Sequence, residues 1–190
     1  MVLPCDGYRI DVYPGGRYAT VRAARFGGLF GEDATDPLKD GLYDIANDRY
    51  VIEPKVGQMV QYCAGGMVLG YQYDSEDAMG DETAQWAFNC ADESVRELPE
   101  ELGRVQEYYP ETGWFGAFPQ VCYDKDLQPL PNLGGWSIAP EGFGGGQYCK
   151  IYNNHNHPGV ETWVNRKGEL TGKQYVHFPL RQLLHGDKFR

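Results

Sequence analysis

The segment of the sequence best suited to catalysis or metal binding contains His155, His157 and Glu161. In an extended strand, residues two apart point to the same face, so both imidazoles would lie on one side. A glutamate four residues after the second histidine would complete a two-histidine, one-carboxylate set, which binds iron, manganese or a related divalent transition metal. Neighbouring Pro158, Gly159 and asparagines are turn formers, so exposed histidines on a loop tip are the competing interpretation.

The spacing of this segment, with Gly168 after six further residues, resembles the first metal motif of the cupins, a family of β-barrel proteins. The resemblance implies a metal-dependent enzyme in which His155, His157 and Glu161 are the ligands. Cupins need a second histidine segment well downstream, and only 22 residues follow Gly168. The metal-dependent β-barrel enzyme is therefore the alternative prediction, and a non-enzymatic protein without a cofactor is the preferred one.

Other catalytic signatures are absent from the sequence. There is no GxSxG nucleophile elbow, no P-loop and no dinucleotide-binding fingerprint. The glycine-rich stretch over residues 142–146 lacks the lysine and hydroxyl residue that a phosphate cradle needs. The five cysteines are widely spaced and form no CxxC pair, so we interpret them as small buried residues in a reducing compartment. The chain has no apolar run of about 20 residues and no apolar stretch near its start. We therefore expect a cytoplasmic protein without membrane contact.

The elements that would position these residues are mostly short β-strands. Twenty-five glycines and 12 prolines punctuate runs rich in β-branched and aromatic residues. Hairpins are predicted over residues 8–26, 42–52, 58–73, 120–130 and 160–171. Further strands are predicted over residues 147–152 and 174–178, and a short amphipathic helix over 179–185. The predicted fold is mainly β, built of tandem antiparallel hairpins.

Residues 74–111 differ, because they are rich in Glu, Ala and Leu. Helices are predicted at about 82–90 and, starting at Pro99, to about residue 109. Leu98, Leu102, Val105 and Tyr109 recur at helical spacing and would form the buried stripe. The prediction is thus an acidic helical insertion between β-hairpin regions over 1–73 and 112–190. That makes the fold α+β overall, in one compact domain.

Three stretches align with one another, over residues 41–55, 120–132 and 160–172. Each has an apolar-aromatic strand, a turn and a second short strand, with Asp44, Asp124 and Asn165 in equivalent positions. Their side chains can bond the following backbone and start the turn. The first stretch, GLYDIANDRYVIEPK, resembles the units of the WG-repeat family, and WVNRKGEL resembles them in part, although Trp163 is followed by Val164. The resemblance covers about half the chain and implies successive β-hairpin units and protein interaction.

The charge of the chain is concentrated in the acidic segment. The net charge is −10, and residues 74–111 hold 12 acidic and two basic residues. A globally basic nucleic-acid-binding protein is therefore excluded, and no direct nucleic-acid binding is expected. A solvated face that keeps the protein soluble is one interpretation of the segment. The other is a negative surface that attracts a basic partner.

The predicted function is a non-enzymatic interaction module that binds a basic protein, in the manner of an inhibitor or immunity-type protein. Tyrosine and tryptophan are frequent anchors of interfaces, although most of the aromatics are expected in the core. The predicted contact residues are the acids and aromatics at the end of the acidic segment: Glu93, Glu97, Glu100, Glu101, Glu107, Tyr108, Tyr109 and Trp114.

Overall fold

A computed structural model of the 190-residue chain describes residues 8–23, 38–75, 81–118, 121–139, 142–153 and 160–176. These ranges contain fifteen strands and two three-residue 3-10 turns, at Glu100–Leu102 and Pro131–Leu133. The strands are β1 (Tyr8–Val12), β2 (Tyr18–Ala23), β3 (Asp40–Asp44), β4 (Arg49–Ile52), β5 (Gln58–Tyr62), β6 (Met67–Tyr73), β7 (Glu82–Asn89), β8 (Ser94–Leu98), β9 (Val105–Tyr109), β10 (Trp114–Ala117), β11 (Val121–Tyr123), β12 (Ser137–Ile138), β13 (Tyr148–Asn153), β14 (Val160–Asn165) and β15 (Leu170–Val176).

The strands form four sheets in which chain neighbours are also spatial neighbours. The orders are β1-β2-β3-β4, β5-β6-β7-β8, β11-β10-β9 and β12-β13-β14-β15. Neighbouring strands in these sheets pair in antiparallel fashion. Short turns suffice to join antiparallel neighbours, which is why glycine and Asx residues punctuate the chain so often. The mainly β prediction is confirmed.

The turn chemistry predicted for the three similar stretches is present in each of them. The Oδ1 atom of Asp44 accepts hydrogen bonds from the backbone N–H groups two and three residues further on. The Oδ1 atoms of Asp124 and Asn165 each accept from the N–H groups two and four residues further on. One side-chain oxygen therefore organises each turn, whether the residue is aspartate or asparagine.

The predicted acidic helical insertion is wrong. Within residues 74–75 and 81–111 the chain forms β7, β8, a 3-10 turn and β9, and the only helical element is that turn. Strand β7 pairs with β6 on one side and with β8 on the other. Glutamate and alanine are good helix formers, but intrinsic helix propensity is a weak preference. The pairing of β7 with a strand on each side and the burial of Phe88 outweigh it.

The stripe predicted for the second helix is buried for a different reason. Leu98, Leu102 and Val105 have at most 8% of their surface exposed. Leu98 ends β8, Leu102 closes the 3-10 turn and Val105 begins β9. The intervals that look helical are thus the distances between a strand end, a tight turn and the next strand.

The chain divides into two compact units, Met1–Gln106 and Glu107–Arg190. In the first unit, Leu42 of one sheet packs with Val60, Val68 and Phe88 of the next sheet in a shared core. The second unit has its own core of eight buried residues: Trp114, Cys122, Leu133, Ala139, Phe143, Cys149, Ile151 and Val164. Strands β7 and β8 belong to the first unit, and β9 contains residues of both units.

Some predicted elements lie outside the described residues, namely the helix over 179–185 and the end of the strand over 174–178. Residues 174–176 continue β15 rather than starting a new strand. Among the described residues, no helix has the length and apolar character to cross a membrane.

Candidate functional site

The first unit contains an acidic groove of about 760 Å³, formed by the start of β7, the end of β8 and the turn that follows it. Among the described residues, four carboxylates line the groove, against a single guanidinium, that of Arg104. The carboxylates belong to Asp81, Glu82, Glu97 and Glu100. We call this feature the acidic groove. Its formal charge of about −3 favours the approach of a cation.

A bulge in the β6–β7 pairing gives the groove its floor. Gln72 pairs with Ala84, but Tyr73 pairs with Glu82, so Thr83 is an extra residue in β7. Regular alternation would put Glu82 and Gln85 on opposite faces of the sheet, and the extra residue puts them on the same face. Glu82 therefore lies beside Tyr73, because directly paired residues share a face.

The side chain of Arg104 lies over the rings of Tyr71 and Tyr73. Its guanidinium carbon is 4.9 Å from the ring centre of Tyr71 and 5.7 Å from that of Tyr73. Its Nε atom is 3.6 Å from Oε2 of Glu82, which is longer than a hydrogen bond. Burial raises the pKa of Glu82, and the charge of Arg104 opposes that rise. Burial also raises the pKa of Tyr73, so its hydroxyl stays protonated at neutral pH.

Gln85 holds the wall of the groove in place. Its side-chain nitrogen donates to the carbonyl oxygens of Pro99 (3.3 Å) and Gly103 (2.7 Å). Its side-chain oxygen accepts from the backbone N–H of Val105 at 3.0 Å. One buried amide thus satisfies three backbone groups of the turn that carries Glu100. The groove wall is shaped by a side chain rather than by regular secondary structure.

Strand β8 forms the outer rim of the groove. It is the last strand of its sheet, and residues 94–97 are exposed. Glu97 on the strand and Glu100 on the turn are both exposed and both line the groove. Glu101 is exposed as well but is not among the lining residues. The predicted contact residues of the first unit therefore divide into groove and non-groove acids.

Glu93 has an internal role in the first unit. It occupies the β7–β8 turn with a positive φ of 59°. Its Oε1 atom accepts from Arg17, and its Oε2 atom is 3.3 Å from the guanidinium of Arg49. Both arginines belong to the β1–β4 region, so Glu93 connects the two sheets of the unit. Glu93 does not line the acidic groove.

The remaining predicted contact residues belong to the second unit. Trp114 is buried and packs edge-on against Phe143, with ring centres 5.7 Å apart. Glu107 accepts a hydrogen bond from the hydroxyl of Tyr109. The ring of Tyr108 is 5.1 Å from that of Phe115. Trp114 is thus a core residue of the second unit.

The metal set of the sequence prediction is described only in part. Glu161 is buried, and its Oε2 atom is 2.5 Å from Nζ of Lys150. His155 and His157 lie outside the described residues. Within the described ranges, no group of three or more His, Cys, Asp or Glu side chains is placed to hold a metal ion.

Sequence reasoning missed the floor and the wall of the groove. The sequence pattern predicts a helix at Glu82, and it does not indicate Tyr73, Gln85 or Arg104 as site residues. The charge excess of residues 74–111 was the signal that located the region. The bulge at Thr83 has no sequence signature that separates it from an ordinary strand residue.

Comparison of the chain with protein-family models gives no match, and comparison with curated proteins gives none either.

Proposed function

We propose that the protein is a non-enzymatic interaction module whose acidic groove binds an extended, basic segment of another protein. One observation carries this proposal: in the part of the chain that the structure describes, four carboxylates line a groove together with a single guanidinium. Such a concentration of one charge raises the local density of oppositely charged ligands and speeds their encounter. An inhibitor or immunity-type protein acting on a basic partner would use this chemistry.

The rim of the groove favours an extended occupant. Strand β8 is the last in its sheet, and four of its five residues are exposed. A terminal strand can accept a further strand through backbone hydrogen bonds, and the alternate side chains of the added strand then enter neighbouring pockets. With Glu97 on β8 and Glu100 just beyond it, basic side chains of an added strand would meet carboxylates. The described residues add no observation in favour of the metal-dependent alternative.

The test uses a defined probe, a fluorescent eight-residue peptide of alternating arginine and threonine, and measures its affinity by anisotropy. Neutralising both rim acids, in the double variant Glu97→Gln and Glu100→Gln, removes two exposed charge pairs. Each pair contributes about 0.5–1 kcal/mol, so binding should weaken roughly 5- to 30-fold. The dependence of affinity on salt should fall at the same time.

The matched control is Glu101→Gln, because Glu101 is next to Glu100 and exposed but does not line the groove. We expect its affinity to stay within about twofold of the wild type, since only long-range attraction changes. Equal weakening by the control and by the rim variants would mean that overall charge, and not the groove, attracts the peptide. The proposal would then be wrong.

A further inference from the structure

The turn between β7 and β8 is organised in the same way as the turns that follow Asp44, Asp124 and Asn165. The Oδ1 atom of Asn89 accepts a hydrogen bond from the backbone N–H of Ala91, two residues further on. The Oδ1 atoms of the other three residues accept from the N–H group two residues further on as well. The same turn chemistry therefore recurs at residues 44, 89, 124 and 165.

Each of these turns occupies the same place in its sheet. It follows the third strand of the sheet in chain order, which is β3, β7, β11 or β14. The strand after the turn is β4, β8 or β15 in three of the sheets, and in the sheet that contains β11 a bridge between Tyr123 and Pro129 takes its place. The residue just before each turn is apolar and at most 9% exposed: Tyr43, Phe88, Tyr123 and Val164. One four-stranded unit is thus repeated along the chain.

A buried polar residue lies four positions before the turn in the three copies in which that position is described. These residues are Asp40, Gln85 and Glu161, and their exposed fractions are 0%, 5% and 8%. In the copy with Asp124 the corresponding position lies outside the described residues. Fully buried polar side chains are uncommon in proteins, so their recurrence at one position of a repeated unit indicates a shared role.

In the first two copies this residue holds the backbone of a later strand. The Oδ2 atom of Asp40 accepts from the N–H of Val60 at 3.0 Å, and the Oε1 atom of Gln85 accepts from the N–H of Val105 at 3.0 Å. Each donor lies 20 residues after its acceptor, and both valines are 0% exposed. Val60 belongs to β5 and Val105 to β9, which are the strands that begin the following sheets. An unpaired buried N–H is costly, so each acceptor fixes the position of the strand that carries its donor.

We infer that the chain is a tandem array of four copies of one four-stranded unit, in which Asp40 and Gln85 are equivalent positioning residues that fix the first strand of the next copy. The equivalence holds although their charges differ. Asp40 is paired across the strands with Arg22, which donates to both of its carboxylate oxygens, whereas Gln85 is paired with the uncharged Tyr71. The inference is independent of the proposed function, because the positioning residues belong to the shared framework and the acids of the groove rim belong to one copy.

Amide hydrogen exchange of the ¹⁵N-labelled full chain tests the role of the two positioning residues. Asp40→Leu and Gln85→Met remove the acceptor and keep a side chain of similar size. Exchange should speed up at Val60 in the first variant and at Val105 in the second, by about tenfold more than at Leu69, a buried reference amide in β6. Asp40→Asn keeps an oxygen acceptor, so exchange at Val60 should stay within about threefold of the wild type. Gln85→Met leaves no charge unpaired and carries the test if Asp40→Leu does not fold.

Gln58→Met is the matched control for Gln85→Met. Gln58 is also a buried amide, 3% exposed, and its nitrogen donates to two backbone carbonyl oxygens, but it does not lie four residues before a repeated turn. Relative to Leu69, it should change exchange at Val105 by less than about twofold. Equal acceleration of Val105 by both variants would show that loss of any buried amide loosens β9. Equal acceleration of Val105 and Leu69 in Gln85→Met would show only a general loss of stability, and either outcome would overturn the role of Gln85.

The turn between β7 and β8 is tested at Asn89. Asn89→Ala should lower the midpoint of urea unfolding by about 0.5 M, because the N–H of Ala91 loses its acceptor. Asn89→Asp keeps that acceptor, as Asp44 and Asp124 do, and its midpoint should stay within about 0.2 M of the wild type. A wild-type midpoint in Asn89→Ala would remove this turn from the repeat and overturn the four-copy array. Neither measurement involves peptide binding, so both results are separate from the test of the proposed function.

Discussion

The two tyrosines on one face of β6 should respond to the same substitution with unequal changes in stability. Tyr71 and Tyr73 are two residues apart, both are at least 95% buried, and both rings lie near Arg104. The Tyr71 hydroxyl donates to the carbonyl oxygen of Val105, whereas the Tyr73 hydroxyl makes no hydrogen bond of normal geometry and lies beside the side chain of Arg104. Tyr71→Phe should destabilise the protein, and Tyr73→Phe should leave its stability nearly unchanged.

The expected size of each effect follows from what the hydroxyl does in the folded state. Tyr71→Phe removes a buried hydrogen bond and leaves the Val105 carbonyl without it, which should lower the free energy of unfolding by about 1–2 kcal/mol. Tyr73→Phe removes the desolvation cost of a buried oxygen and also its contact with Arg104, and because these effects oppose each other, that free energy should stay within about 0.5 kcal/mol of the wild type. The two variants should therefore differ by about 1–2 kcal/mol.

Urea unfolding followed by far-ultraviolet circular dichroism measures this difference. With an m-value of about 2 kcal/mol per molar urea, the midpoints of the two variants should be about 0.5–1 M apart, with unchanged slopes. A loss of stability in Tyr73→Phe equal to that in Tyr71→Phe would contradict this prediction, because it would show that the Tyr73 hydroxyl makes an equally favourable hydrogen bond.

Three further predictions concern the framework of the first unit. Gly70→Ala should destabilise the protein by about 3 kcal/mol or more in urea unfolding, because an added Cβ would lie 2.0 Å from the Trp86 ring. Gln85→Ala should lower the free energy of unfolding by about 2–3 kcal/mol, because the Gly103 carbonyl and the Val105 N–H lose their partner, while the Pro99 carbonyl keeps the N–H of Leu102. Amide hydrogen exchange should speed up in residues 99–105. Burial tends to raise the pKa of Asp44, but hydrogen bonds from Arg17 and from the turn outweigh it, so the pKa lies below its ordinary value of 3.8. The ionised Asp44 therefore stabilises the fold above pH 3.8, and this stabilisation is lost as the pH falls through the pKa of Asp44 in the folded state. In Asp44→Asn, the free energy of unfolding should decrease less than in the wild type when the pH is lowered from about 6 to about 3.

The hairpins could be predicted from sequence because their signals are local. Asp44, Asp124 and Asn165 each organise a turn through bonds to backbone groups two to four residues away. Both partners of such an interaction therefore lie within five consecutive residues of the sequence. The alternating apolar residues on either side then fix the pairing of the two strands.

The β7–β9 region could not be predicted in the same way, because its structure depends on distant partners. Strand β7 is held by β6 and β8, and the following turn is held by Gln85 from 14 to 20 residues away. Local composition favoured helix there. Charge counting still located the acidic surface, because an excess of carboxylates is a property of the sequence alone. It did not identify which acids share a groove, and it did not separate Glu93, which is paired with Arg17 and Arg49.

The most direct test of the acidic groove is a titration of ¹⁵N-labelled protein with the arginine–threonine peptide, followed by amide chemical shifts. The largest changes should fall on residues 81–85 and 97–104, which contain most of the groove lining. The changes should be lost with a peptide in which citrulline, which has the shape of arginine without its charge, replaces each arginine. Equal changes around other acidic residues, such as Glu107 and Glu169, would show that the peptide does not bind in the groove, and shifts that persist with the uncharged peptide would show that charge does not hold it there.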